Sequence, residues 1–204
     1  MQEARTGKRE QILDVAGVNV IQKGFAATSI EEIIVEVGIT KSGFFYHFSD
    51  KNEFARALLQ RYIDMEETIF HDIEARAYEL NEDPLHGFLI SLKLLAELLE
   101  DLPNGHPGCL IASYCYQSQL FSADIRDLNA QALMAWRTRF QQRLEQIAET
   151  YQPRMEVDLA DVADMLSAVV DGSIILSRVM HDKNILPRQV MLYRKFIKAL
   201  FIEQ

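Results

Sequence analysis

The chain has 204 residues, 49% hydrophobic and 25% charged, with a net charge of −9; that is enough apolar material for one good core or two smaller ones, and too acidic for a general nucleic-acid coat. No run of about eighteen apolar residues occurs and MQEARTGKRE lacks the apolar middle of a signal peptide, which argues against a membrane partner and for a soluble, cytoplasmic protein. Two cysteines, Cys109 and Cys115, are too few and too close for a disulfide scaffold and lack a C-x-x-C companion, so free thiols are expected and no metal or cofactor.

In chain order, Thr6 to Lys23 carries Leu13, Ala16 and Val20 on one helical face and stops at Gly24, before Phe25. Ser29 and Glu32 have capping-box spacing, and Ile30, Ile33, Ile34 and Val37 form the apolar face of a second short helix that Gly38 ends. Thr40 is a good N-cap for a third, polar in front (Lys41, Ser42, Gly43) and aromatic behind. Two short helices joined by a glycine turn are the outline of a helix-turn-helix, whose second helix meets base edges and phosphates. Phe25 is expected to plug this small core with Phe44 or Phe48.

Asp50 and Glu53 repeat the capping-box spacing and launch a helix along Phe54, Leu58, Tyr62, Met65, Ile69 and Ile73. About 25 residues at 1.5 Å each span nearly 40 Å, more than a small domain needs, so this helix reads as a mechanical connection. After Asn81 to Pro84 comes the stripe Leu85, Phe88, Leu92, Leu95, Leu99, Leu102; then a short helix after Pro107; then Leu128, Ala132, Trp136, Phe140, Leu144 and Ile147 from Asp124 onward. A final pair is expected from about Asp158 to His181 and Pro187 to Glu203. Its faces are Leu159, Val162, Leu166, Val169, Ser173 and Val190, Tyr193, Ile197, Leu200. That is more apolar surface than a monomer's terminal hairpin needs, and the small residues around Asp171-Gly172-Ser173 permit close approach by a facing helix. A buried internal hairpin is the alternative.

GITKSGFFYHFSDKNEF resembles the signature of TetR/AcrR-type bacterial transcriptional regulators: a hydrophobic residue after the turn glycine, a Ser/Thr cap, a small pair, an aromatic cluster and a lysine in fixed order. Upstream, KREQILDVAGVNVIQKGFAATSIEEI is similar to the family's first helix, glycine-aromatic break and threonine entry. Phe45 stands where the family most often has tyrosine, and Tyr46 follows it. The resemblance covers about the first quarter of the chain. It implies an all-α protein of about nine helices, with a three-helix helix-turn-helix DNA-binding domain over residues 1–51 and a helical ligand-binding and dimerisation domain over 52–204. It further implies a homodimer through the last two helices, a double-stranded operator, a small-molecule effector and, usually, repression. The charge distribution is compatible: residues 1–51 hold six Lys and Arg against seven Asp and Glu, so −1 of the −9 falls there and −8 beyond.

Carried onto this sequence, the motif makes Thr28, Thr40, Lys41, Ser42, Gly43, Tyr46, His47 and Lys51 the DNA-binding candidates. Lys41 and Ser42 suit base edges, Gly43 close approach, and Thr28, Thr40, Tyr46, His47 and Lys51 the phosphates. Thr28 is equally read as a structural helix entry. Arg5 and Lys8 are weaker phosphate candidates. Phe88, Tyr114, Tyr116, Met134, Trp136, Met165 and Asp171 are candidates for an apolar ligand pocket, each also readable as plain core. Cys109, after Pro107-Gly108 at a helix start, is a candidate redox or electrophile sensor, as in some members with a similar Gly-Cys-Leu context. No H-E-x-x-H, G-x-S-x-G or Walker loop occurs, so an enzyme is not expected. An all-α binding protein without DNA recognition is the remaining alternative.

Overall fold

A computed structural model describes residues 7–202, and every regular element among them is helical. In order these are α1 (Lys8–Lys23), α2 (Ile30–Val37), α3 (Lys41–His47), α4 (Lys51–Leu80), α5 (Pro84–Glu100), α6 (Leu110–Tyr116), a 3₁₀ turn (Ser118–Leu120), α7 (Ala123–Thr150), α8 (Leu159–Met180) and α9 (Ile185–Phe201). The all-α expectation holds. Arg5, expected near phosphate, lies outside the described residues.

Local chemistry sets the short helices. Ser29 accepts the Glu32 amide while the Glu32 carboxylate accepts the Ser29 amide, so both halves of the capping box are closed at α2. Gly38 ends α2 at φ 70°, the left-handed conformation that costs glycine nothing, and its amide returns to the carbonyls of Ile34 and Val35. Asp83 caps α5, with Pro84 at the first helical position.

Two compact units result. The first comprises residues up to Glu66 together with Gly108–Ala132, so α6 folds with the helix-turn-helix segment and not with the later helices among which the sequence placed it. Its core is Ile12, Leu13, Ala16 and Val20 of α1, Ile33 of α2, Phe44 and Phe48, and Phe54, Leu58 and Leu59 of α4, closed by Leu110, Tyr114, Phe121 and Ile125. Phe25 is the centrepiece: its ring lies 5.0 Å from Phe121, 5.8 Å from Tyr114 and 6.2 Å from Phe54. Gly24, at φ 86°, lies so close to Gln117 that a Cβ there would sit 2.3 Å from Nε2, and Gln117 Oε1 accepts the Ala26 amide at 2.9 Å.

The second unit comprises Glu67–Pro107 and residues from Leu133 onward. α9 packs on both α5 and α8. Tyr193 donates to the Val162 carbonyl at 2.9 Å and Arg194 to the Leu89 carbonyl at 2.7 Å. Here the structure corrects the reading of the α8 and α9 stripes as surplus: Val162, Leu166, Ser173, Val190, Tyr193, Ile197 and Leu200 are buried within this unit. The surplus is on other residues. Ile175 (55%), Leu176, Val179 (72%) and Met180 of α8 and Leu192 of α9 are exposed.

Candidate nucleic-acid interface

α3 is short and two-faced. Phe44 and Phe48 point inward at 0% exposure, with ring centroids 5.3 Å apart, and both contact Phe54. That anchoring leaves Lys41, Ser42, Phe45 and Tyr46 outside, Tyr46 at 84% exposure. The aromatic next to the family's usual tyrosine position therefore carries the solvent-facing hydroxyl, while Phe45 lies edge-on to Phe44.

Thr40 fixes the start of this helix: its hydroxyl accepts the Gly43 amide at 3.1 Å and shares a hydrogen bond with Ser42 Oγ at 3.0 Å. Gly43 is half-buried, and His47 is half-buried with its ring 5.1 Å from that of Tyr46. Lys51 is exposed at the first residue of α4, its ammonium 5.1 Å from the centroid of the Phe25 ring. Thr28 departs from the phosphate expectation. At 4% exposure its hydroxyl donates to the Gly24 carbonyl at 2.9 Å, so it closes the turn between α1 and α2.

Among the described residues, the cations of this face have partners inside the chain. Lys41 pairs with Glu31 at 2.9 Å and Lys23 with Glu32 at 2.7 Å. Lys8 donates to the Val37 carbonyl at 3.2 Å, and Arg9 lies over the Phe48 ring and 3.6 Å from Glu10. The Lys41 and Lys23 ammonium groups, by hydrogen bonding to Glu31 and Glu32, hold those carboxyls below their ordinary range. The Lys41–Glu31, Lys23–Glu32 and Lys8–Val37 contacts could not be read from the sequence, because each joins residues on different helices.

The ligand candidates are dispersed. Tyr114 and Tyr116 belong to the first unit; Phe88, Met134, Trp136, Met165 and Asp171 belong to the second. Tyr114 is core: 1% exposed, stacked on Phe121 at 4.2 Å, its hydroxyl donating to the Ala55 carbonyl at 2.8 Å. Tyr116 (78%) and Met134 (50%) face outward. Trp136 is half-buried, edge-on to Phe70 at 4.8 Å; Phe88 is buried near Phe140; Met165 and Asp171 are half-buried. Arg137 pairs with Asp164 at 2.8 Å. A groove of about 540 Å³ between α5 and α9 is lined by Lys93, Glu97, Arg188 and Leu192 among others, and by none of those candidates.

Cys109 is the N-cap of α6, its sulfur accepting the Ala112 amide at 3.3 Å. Neither cysteine is in a disulfide. Among the described residues no helix is long and apolar enough to cross a membrane, and no group of three or more acidic, His or Cys side chains is placed to hold a metal ion.

The sequence profile of "Bacterial regulatory proteins, tetR family" matches residues 12–58, which hold all of α2 and α3 and most of α1. The chain is 22% identical to the HTH-type transcriptional repressor DhaR of Mycobacterium sp. strain GP1, over 88% of this chain and 87% of that protein. It is 27% identical to the HTH-type transcriptional regulator LmrA of Bacillus subtilis strain 168, over 83% and 85%. A TetR-family transcriptional regulator of known structure from Agrobacterium tumefaciens shares the fold with a TM-score of 0.78, over 96% of this chain and 98% of that one at 19% identity. Residues 12–58 thus carry the helix-turn-helix domain of the bacterial tetR-family regulatory proteins, and the chain shares its fold along its length with a TetR-family structure, which together support a TetR-family regulator.

Proposed function

We propose that the chain is a homodimeric repressor that holds a pseudo-palindromic operator through α3 of each protomer and leaves it when a small molecule binds among the helices of the second unit. The observation that carries DNA reading is the division of α3, with Phe44 and Phe48 locked in the core and Lys41, Ser42 and Tyr46 left outside on a helix held by its Thr40 cap. Lys41 suits guanine O6 or N7, Ser42 either edge, and Tyr46, His47 and Lys51 the phosphates. Repression is supported by the relative DhaR, which is named a repressor.

Dimerisation is supported by the exposed apolar residues Ile175, Leu176, Val179 and Leu192, and by Gly172, beside which a Cβ would meet open space. A helix-turn-helix dimer places two reading helices in successive major grooves about 34 to 36 Å apart. Response to a ligand would follow from α4, unbroken from Lys51 to Leu80: an effector that prefers one arrangement of the helices shifts the spacing of the two α3 helices. Moving that balance from 1:99 to 99:1 takes about 5.5 kcal/mol of differential binding. Selection from a pool of random duplexes, with sedimentation of the complex, tests this: two protomers on a recovered two-fold site are expected, and no enrichment contradicts it.

A second reading has its own observation, the half-buried Cys109 sulfur at the start of α6 accepting the Ala112 amide. Attack of the Cys109 thiolate on hydrogen peroxide gives a sulfenic acid and releases hydroxide. Peroxide-induced release from DNA that Cys109→Ser abolishes would support it; unchanged release removes it.

A further inference from the structure

We propose that Glu31 determines how selectively the α3 face binds DNA: its carboxylate holds the Lys41 ammonium unless a guanine edge competes for it, and so keeps that cation from acting as an indiscriminate phosphate contact. The inference rests on the DNA-binding function proposed above and names a residue on α2, outside the helix that reads.

Three exposed carboxylates line α2, and two have other duties. Glu32 closes the capping box with Ser29 and pairs with Lys23; Glu36 accepts from the Asn19 side chain at 3.2 Å. Glu31 lies outside the Ser29–Glu32 capping box, and its side chain reaches across to α3, where it meets Lys41 at 2.9 Å. Both side chains are 63% exposed, so the pair is weak and a well-placed competitor can break it. A guanine edge offers two converging acceptors at a fixed place in the groove, whereas a phosphate, though its oxygens accept too, draws the ammonium chiefly by a charge that Glu31 already offsets. Among the described residues of this face, Lys8 and Lys23 are likewise held by oxygens within the chain. One carboxylate on one lysine therefore weighs heavily in the difference between selected and unselected DNA.

The test uses the full chain with two fluorescent duplexes, one recovered by wild-type selection and one of scrambled sequence, titrated over a series of salt concentrations. Glu31→Gln is expected to bind the scrambled duplex about threefold more tightly, with a log–log salt slope steeper by about 0.9, the mark of one more neutralised phosphate, and to bind the selected duplex with little change. In a Lys41→Gln background the same Glu31→Gln change is expected to have no effect on that slope, because the carboxylate acts through Lys41. Identical slopes for wild type and Glu31→Gln, with selected-duplex binding intact, overturn the inference alone. A Glu31→Gln effect that persists in the Lys41→Gln background overturns it too, by making Glu31 a plain repulsive charge. Wild-type protein that selects no duplex overturns the DNA-binding function and the inference together.

Discussion

The Tyr114 hydroxyl donates to the Ala55 carbonyl at 2.8 Å and so ties α6 to the first turns of α4. The same ring stacks on Phe121 and meets Phe25 edge-on, which places a residue from beyond position 100 in the core beneath the helix-turn-helix. Tyr114→Phe keeps the ring and loses the bond; the expected cost is about 1 kcal/mol in urea unfolding. Tyr114→Ala removes the ring from a site with 1% exposure and is expected to cost about 3 to 5 kcal/mol. Equal losses for the two variants would mean that the ring contributes nothing.

How much of this was legible beforehand divides by distance along the chain. The Ser29 and Thr40 caps, the Gly38 stop and the inward Phe44 and Phe48 are local events, decided by residues within a few positions, and the sequence gives them up directly. Tyr114 read as a pocket residue because nothing near it points to Ala55, 59 positions earlier. Thr28 read equally as phosphate ligand or structural entry; only the fold shows its hydroxyl turned back to Gly24. Helical spacing identified apolar stripes on α8 and α9, but periodicity reports an apolar face without naming its partner. The buried Val162, Leu166, Tyr193 and Ile197 stripe proved internal, while Ile175 and Val179 kept the exposed surface.

Acid should weaken the second unit through Asp83. Desolvation pushes its carboxyl upward, but the His86 amide, the Tyr151 hydroxyl at 2.7 Å and the His86 ring outweigh it and hold the group down at about 2. A folded value below the ordinary one means that this stabilisation is fully present above the unfolded carboxylate range, near pH 4, and is lost as pH falls towards 2. Asp83→Ala, which also deletes the α5 cap, is expected to cost about 1 kcal/mol at pH 7, and the gap from wild type is expected to narrow steadily in urea melts from pH 4 to pH 2. A gap independent of pH would show that Asp83 acts only as a neutral cap.

Tyr46 and Lys51 should separate by salt. Both are expected at phosphates, but a phenol displaces no counterion whereas an ammonium does. Tyr46→Phe, at an 84% exposed position, is expected to leave stability unchanged and to weaken binding of the selected duplex about tenfold at every salt concentration. Lys51→Gln is expected to lower the log–log salt slope by about 0.9. Its loss of the contact with the Phe25 ring should appear separately, as a small drop in thermal stability. Identical salt slopes for Lys51→Gln and wild type would remove Lys51 from the interface.

The outward face of α3 is tested most directly by Lys41→Ala/Tyr46→Ala, assayed on the duplex selected by wild-type protein, with helical content and sedimentation measured in parallel. Loss of about a hundredfold in affinity, with helix content and assembly state unchanged, is the expected result. Affinity within about twofold of wild type, in a protein equally folded, would contradict the assignment of this face to DNA.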